Sequence, residues 1–143
     1  MSQPPQKLLN MNYVLIDFEN VQPDSLEQLD RDYFKLLVFV GASQEKVPFD
    51  MAASLHRFGD RMEYIKISGN GPNALDFHIA YYIGRLAAAD PAAYFHIISK
   101  DAGFDPLIEH LRAKKVNARR VRTIFDIPLV KFPTLKLSPN GSK

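Results

Sequence analysis

The chain contains no cysteine among its 143 residues. This absence excludes a disulfide scaffold and any metal site built on thiolates, and it agrees with a reducing cytoplasmic location. Long apolar runs are also missing. The longest, "LLVFV" at 36–40, falls far short of the ~20 residues of a membrane span. The N-terminal "MSQPPQKLLN" lacks an apolar signal-peptide core, so we expect a soluble, cytoplasmic protein with no membrane partner.

Two common kinds of site lack their sequence signals. The four histidines are scattered without metal-ligand spacing, which argues against zinc (His56, His78, His96 and His110). The glycine-containing stretch "SGNGPN" at 68–73 has no lysine after it and is a poor phosphate-cradling loop. We expect it to form a tight turn that delivers Asn73 and Asp76 to a cleft.

The charge is unevenly distributed along the chain. The net charge is only +2, yet nine of the 18 basic residues and only one of the 16 acids lie from Arg112 onward. Such asymmetry favours a polyanionic partner, with a solvated basic face as the alternative. The predicted phosphate-binding residues in this region are Lys114, Lys115, Arg119, Arg120 and Arg122.

Strand and helix patterns alternate along the chain. Strands are predicted at "YVLIDF", "KLLVFVG", "MEYIKI", "YFHIIS" and "ARRVRTI". Helices are predicted at "PDSLEQLD" (with Asp24 as N-cap and Glu27 as its capping-box partner), "PFDMAASLHRFG", "NALDFHIAYYIGRLAAAD" and "DPLIEHLRAKK". The alternation predicts an α/β fold: a single-domain, three-layer sandwich around a central, mainly parallel, Rossmann-like sheet.

The predicted domain has short flanking segments. Residues 13–127 form the domain, and residues 1–12 form an N-terminal extension. Residues 128–143 are predicted to be an extended tail, because Pro128, Pro133 and Pro139 disfavour a helix. Apolar residues between these prolines suit docking on the body or on a protein partner.

Four acids fall at the predicted carboxyl ends of the strands, where open parallel sheets bind ligands (Asp17, Asp76, Asp101 and Asp105). Carboxylates in one cleft repel one another unless a cation neutralises them. Oxygen ligands without histidine or cysteine suit Mg²⁺ or Mn²⁺. Such an ion can activate water and stabilise charge on a phosphodiester, which is the chemistry of metal-dependent nucleases. We therefore predict Asp17, Asp76 and Asp101 as metal ligands.

Each acid also has a structural interpretation. Asp105 before Pro106 is a standard helix start, so it is either a ligand or only a cap. Asp76 lies three residues after Asn73 and fits a capping box. Asp101 fits a turn. Asp17 has the weakest structural explanation, because nothing local requires an acid inside an apolar strand. Glu19 is interpreted as a loop charge.

Three segments, "YVLIDFENVQP", "GPNALDFHIAYYIG" and "IISKDAGFDPLIEHL", in that order and spacing, resemble the PIN-like nucleases, particularly the NYN-type and related bacterial PIN-like domains. The resemblance covers roughly 13–122 and implies an α/β sandwich that cleaves RNA with Mg²⁺ or Mn²⁺, often as a homodimer. It makes Asp17, Asp76 and Asp101 the metal acids and Asn20 the asparagine that often follows the first. The commoner NYN pattern has a second acid where this chain has Gly103.

The function predicted from the sequence is a metal-dependent endoribonuclease, with single-stranded RNA as the expected substrate and Asp17, Asp76, Asp101 and Asp105 as catalytic residues. Asn20, Asn73 and Lys100 join the basic residues as substrate contacts. One alternative is a degenerate PIN-like module that binds RNA or a protein. The other is a haloacid-dehalogenase-like phosphatase, ranked lower because that scheme leaves Asp76 unused.

Overall fold

The computed structural model describes residues 10–71 and 73–132, and in them five parallel strands form one sheet. The strands are β1 (Asn12–Asp17), β2 (Phe34–Val40), β3 (Met62–Lys66), β4 (Tyr94–Ile98) and β5 (Asn117–Val121). Their order across the sheet is β3-β2-β1-β4-β5, and each neighbouring pair is parallel. The carboxyl ends of all five strands therefore lie along one edge.

Helices connect the strands and cover both faces. They are α1 (Phe49–His56), α2 (Ala74–Ala89), α3 (Asp105–Ala113) and α4 (Pro128–Lys131). Short 3-10 helices lie at Glu27–Leu29, Gly59–Arg61, Ala102–Phe104 and Ile124–Asp126. No helix in the described part of the chain has the length and apolarity needed to cross a bilayer.

Two apolar clusters on opposite faces of the sheet hold the layers together. Successive side chains of a strand point to opposite faces. Val14 accordingly packs in one cluster with Leu55 of α1, whereas Leu15 packs in the other with Ile79 of α2 and Ile108 of α3. The arrangement is a three-layer α/β sandwich, which confirms the predicted fold class.

The strand order reverses between β1 and β4. The chain runs outward from β1 through β2 to β3, and α2 then returns it to β4, which pairs with the other side of β1. Connections that leave two adjacent parallel strands in opposite directions open a crevice at the carboxyl ends of those strands. The fold thus places its natural binding crevice between the end of β1 and the end of β4.

The segment after β1 differs from the prediction. In place of a helix capped by Asp24, the structure has a single 3-10 turn at Glu27–Leu29, and no side-chain cap bond is made. Leu26 and Leu29, three residues apart, are both buried in the core. That spacing matches the three residues per turn of a 3-10 helix, and the stretch is too short to sustain an α-helix.

The ends of the domain also differ from the prediction. β1 begins at Asn12, one residue inside the predicted N-terminal extension, and the Asn12 N–H donates to the Tyr33 carbonyl at 2.7 Å. The predicted extended tail begins as the helix α4 instead, because Pro128 occupies its first turn, where no N–H is needed. The other predicted tail prolines, Pro133 and Pro139, lie outside the described residues.

Candidate active site

The carboxyl end of β1 carries a buried acid. Asp17 is the last residue of the strand and is 4% exposed, and alternation with Leu15 directs it to the face covered by α2. The N–H groups of Asn20 and Val21 donate to its backbone carbonyl and close the turn that follows. Burial raises the pKa of Asp17, while hydrogen bonds from the Ser99 hydroxyl and the Asn20 backbone lower it.

A buried serine joins Asp17 to the end of β4. The Ser99 hydroxyl donates to Oδ2 of Asp17 at 2.8 Å and accepts the backbone N–H of Asp101 at 3.0 Å. Ser99 is fully buried, one residue beyond the paired residues Ile16 and Ile98. The hydroxyl therefore fixes Asp17 and the start of the Asp101 turn relative to each other, across the crevice where the strand order reverses.

Asp76 enters the same crevice from α2. It lies in the first turn of that helix and is partly exposed. Within the described residues its carboxylate makes no hydrogen bond, so the capping-box interpretation with Asn73 is not realised there. Burial raises its pKa to about 6, and the negative charges of Asp101, Asp17 and Glu19 contribute in that order.

Four carboxylates lie near enough to one another to interact electrostatically. Asp17 also has its pKa raised by the charges of Glu19 and Asp101, in addition to burial. Glu19, interpreted from the sequence as a loop charge, is thus part of the acidic group. Its carboxylate lies over Gly41 at the end of β2, where a Cβ would come within 2.0 Å of it. We call Asp17, Glu19, Asp76 and Asp101 the acidic cluster.

The acidic cluster has the donor atoms of a magnesium or manganese site, but its carboxylates are too far apart to share one ion. All of its donors are carboxylate oxygens, which these hard cations prefer. In the described part of the chain, however, no three Asp, Glu, His or Cys side chains are close enough to hold one ion. The Asp101 carboxylate is turned onto the Gly103 N–H at 2.8 Å. Shared coordination thus requires the side chains to close together.

Asp105 is engaged elsewhere. Both of its carboxylate oxygens accept from Arg120, at 2.8 Å from Nε and 3.3 Å from Nη2, and this pairing lowers its pKa. Arg120 also donates from Nη1 to the Ser99 carbonyl at 3.1 Å. Asp105 is absent from the charges that raise the pKa of Asp17 or Asp76. Its place in the structure is an ion pair that joins α3 to β5.

Gly103 has a steric role beside Asp101. A Cβ at Gly103 would lie 2.9 Å from Oδ1 of Asp101. A side chain there would push the Asp101 carboxylate off the backbone N–H that it now caps. Gly103 stands where the commoner NYN pattern has a second acid. In this chain its backbone N–H donates to the Asp101 carboxylate and closes a local turn.

The predicted substrate contacts separate into two places. Asn20, Asn73 and Lys100 are exposed beside the acidic cluster, and Arg122 follows the carboxyl end of β5. Lys114 and Lys115 follow α3, at the opposite edge of the sheet. Arg119 and Arg120 are neighbours in a strand and so point to opposite faces. The predicted basic contacts from Lys114 to Arg122 therefore do not form one continuous surface.

Sequence reasoning missed several residues at this site. Ser99 has a signal, a small hydroxyl at the end of an apolar strand two residues before an acid, but such serines are common. Two aromatic side chains were also missed: Phe77 and Tyr81, one helical turn apart on α2, are 70% and 59% exposed. Phe77 directly follows Asp76, so this aromatic pair begins beside the acidic cluster.

Comparison with known families agrees with this geometry. A family model described as a PIN domain matches residues 11–121, which is most of the chain, and the protein therefore belongs to the PIN-domain family. Members of this family are generally metal-dependent nucleases. No match was found among curated proteins or among solved structures. The PIN-like part of the predicted resemblance is confirmed, and the NYN-type assignment stays a prediction.

Proposed function

We propose that this chain is a metal-dependent endoribonuclease that cleaves single-stranded RNA at the acidic cluster. The observation that carries the proposal is the convergence of Asp17, Asp76 and Asp101 from three separate elements at the crevice between β1 and β4. Like charges brought together without a cation cost stability, so their convergence calls for a bound cation. Mg²⁺ or Mn²⁺, when bound, would supply Lewis-acid stabilisation of the phosphodiester.

The chain's own groups orient the site. The Ser99 hydroxyl donates to the Asp17 carboxylate and favours its ionised form, which a cation requires. Glu19 contributes a fourth carboxylate from the turn after β1. Lys100 is exposed between Ser99 and Asp101, where its ammonium suits a phosphate of the substrate.

Single-stranded RNA is favoured by the aromatic pair on α2. Proteins that bind single strands combine cationic contacts to phosphates with exposed aromatic rings on which bases stack. Phe77 and Tyr81 offer such rings, and they start one residue from Asp76. A base held on this pair would place the adjacent phosphate towards the acidic cluster.

Cleavage of a labelled single-stranded RNA by purified protein, with and without Mn²⁺, tests the proposal. We expect Mn²⁺-dependent cleavage that is lost in Asp17→Asn. A matched control is Asp32→Asn, which removes one exposed carboxylate before β2, at the opposite edge of the sheet. Equal activity of both variants, or cleavage that persists in chelator, contradicts the proposal.

A binding module without catalysis is the second candidate. Two observations favour it: the Asp101 carboxylate is used as a turn cap, and no three acids of the described chain are spaced for one ion. In the same experiment this candidate gives salt-sensitive RNA binding without cleavage under any metal. The phosphatase interpretation gains nothing from the family assignment, and release of phosphate from a small phosphoester would be its readout.

A further inference from the structure

A basic pocket lies at the edge of the sheet opposite the acidic cluster. Its cavity of about 490 Å³ is lined by Tyr94, the start of β5 and the residues between α3 and β5. We call it the β4–β5 pocket; its lining residues are Tyr94, Arg112, Lys115, Val116, Asn117, Ala118 and Arg119. β4 and β5 have five residues each, so at ~3.3 Å per residue the pocket lies about 15 Å from the carboxyl edge.

Three cationic side chains meet in this pocket without a carboxylate. Arg112, Lys115 and Arg119 line it, and no acid does. The ion pairs found in the described residues involve other arginines, Arg61 and Arg120. Arg119 is half-buried, and its pKa is lowered by burial and by the charge of Arg112. Positive charges that repel one another in a partly desolvated cavity create a site for an anion.

The backbone is arranged to present these cations. The Arg112 Nε donates to the Ala118 carbonyl at 2.8 Å, which anchors the guanidinium at the pocket wall. Lys115 has φ of 70°, and it is the non-glycine residue in the described chain with a positive φ. Glycine is the usual residue at such a position after a helix. The chain instead has a lysine there, and this lysine lines the pocket.

A buried histidine with an unpaired ring nitrogen lies beside Arg119 in the sheet. His96 is paired in register with Arg119 on the neighbouring strand, and it is buried. Its Nε2 bonds to Oδ1 of Asn12 at 2.7 Å, while Nδ1 has no partner within the described residues. Burial lowers the His96 pKa to about 3, so the ring is neutral and adds no charge of its own.

We propose that the β4–β5 pocket binds a nucleotide, with its phosphate on Arg112, Lys115 and Arg119 and its base against Tyr94. Arginine guanidinium groups bind two oxygens of a phosphate or a carboxylate at once, and three cationic side chains match the higher negative charge of a phosphate monoester. Tyr94 is 37% exposed at the start of β4 and provides a ring for stacking. The cavity volume falls in the range of small-molecule sites. The nucleotide is either free or part of an RNA strand.

NMR titration of the Asp17→Asn protein without divalent metal tests this site apart from cleavage. The ligands are AMP, inorganic phosphate and a five-nucleotide RNA. We expect AMP to shift the amide signals of Tyr94 and of residues 115–119 more strongly than phosphate does. RNA that competes with AMP identifies a strand-binding site, and AMP binding without competition identifies a free-nucleotide site.

Variants separate the contributions of the side chains. Arg119→Gln is expected to weaken AMP binding about tenfold, whereas Arg57→Gln, an exposed arginine after α1, leaves it unchanged. Lys115→Gln provides a second, exposed test position if Arg119→Gln unfolds the chain, as judged by circular dichroism. Tyr94→Leu should reduce binding of AMP but not of phosphate. Absence of shifts at the pocket with all three ligands, or equal binding by the wild-type and both charge variants, overturns the proposal.

Discussion

Replacing Asp76 by asparagine should stabilise the metal-free protein at neutral pH. The pKa of Asp76 is raised from 3.8 to about 6 in the folded chain, by burial and by the neighbouring carboxylates. A folded-state pKa above the unfolded value means that the folded chain holds this proton more tightly. The ionised side chain therefore costs nothing below about pH 4, costs progressively more up to about pH 6, and carries its full cost above that.

The size of the effect follows from that difference in pKa. A rise from 3.8 to about 6, at 1.36 kcal/mol for each pH unit, has a ceiling of about 3 kcal/mol. Asp76 is partly open to water, and screening reduces this to roughly 1 kcal/mol. For a chain of this length, 1 kcal/mol corresponds to about 4 °C in the melting temperature.

This stabilisation can be measured by thermal melts at pH 4 and pH 7.5, with wild-type and Asp76→Asn protein in chelator. The variant should melt about 4 °C higher at pH 7.5 and at the same temperature at pH 4. Added Mn²⁺ should raise the melting temperature of the wild type more than that of the variant, because a bound ligand stabilises the folded state. Asp32→Asn serves as the control and should show neither effect. A variant that is less stable than the wild type at pH 7.5 would refute the electrostatic reasoning.

Three further predictions concern the surroundings of the acidic cluster. Ser99→Ala removes the hydroxyl that donates to Asp17 and should cost about 1–2 kcal/mol in urea unfolding; unchanged stability would mean that the bond contributes nothing. Gly103→Ala should displace the Asp101 carboxylate from its cap and cost about 1 kcal/mol by the same measurement, and a neutral result would show that the turn adapts. Asp105→Asn should retain most RNA cleavage because its carboxylate is paired with an arginine, and a loss as large as that of Asp17→Asn would instead make it catalytic.

The sequence predicts the sheet and the position of Asp17 and Asp101 at one edge of it because both follow from local signals. Alternating strands and helices allow few topologies, and in a parallel sheet residues that follow strands share one edge. The prediction that Asp17 and Asp101 are neighbours needed only the further assumption that β1 and β4 are adjacent. The strand order confirms this assumption. Homodimer formation, a protein partner on the tail and cytoplasmic location stay predictions.

The contacts that decide individual roles depend on distant residues and escape local signals. Whether Asp105 is free depends on Arg120, fifteen residues later, and that pairing emerges only once α3 packs beside β5. The basic residues from Lys114 to Arg122 are close together in the sequence. In the structure, the loop before β5 and the alternation of side chains along β5 place them on separate surfaces. The failure to predict α4 is different: proline at a first helical position permits a helix, and burial of Ile124 and Ile127 beside it decides the outcome.

The strand order also sets when the acidic cluster can exist during synthesis. The Ser99 hydroxyl and the Asp17 carboxylate that it contacts are separated by 82 positions in the chain. A nascent chain that has released only β1, β2 and β3 contains Asp17 and Glu19 but has neither the serine nor Asp101. Non-local pairings of this kind form late, after the intervening segments have folded. The assembly of the cluster therefore reports that nearly the whole domain has folded, and a ribosome-bound fragment that stops before β4 cannot complete it.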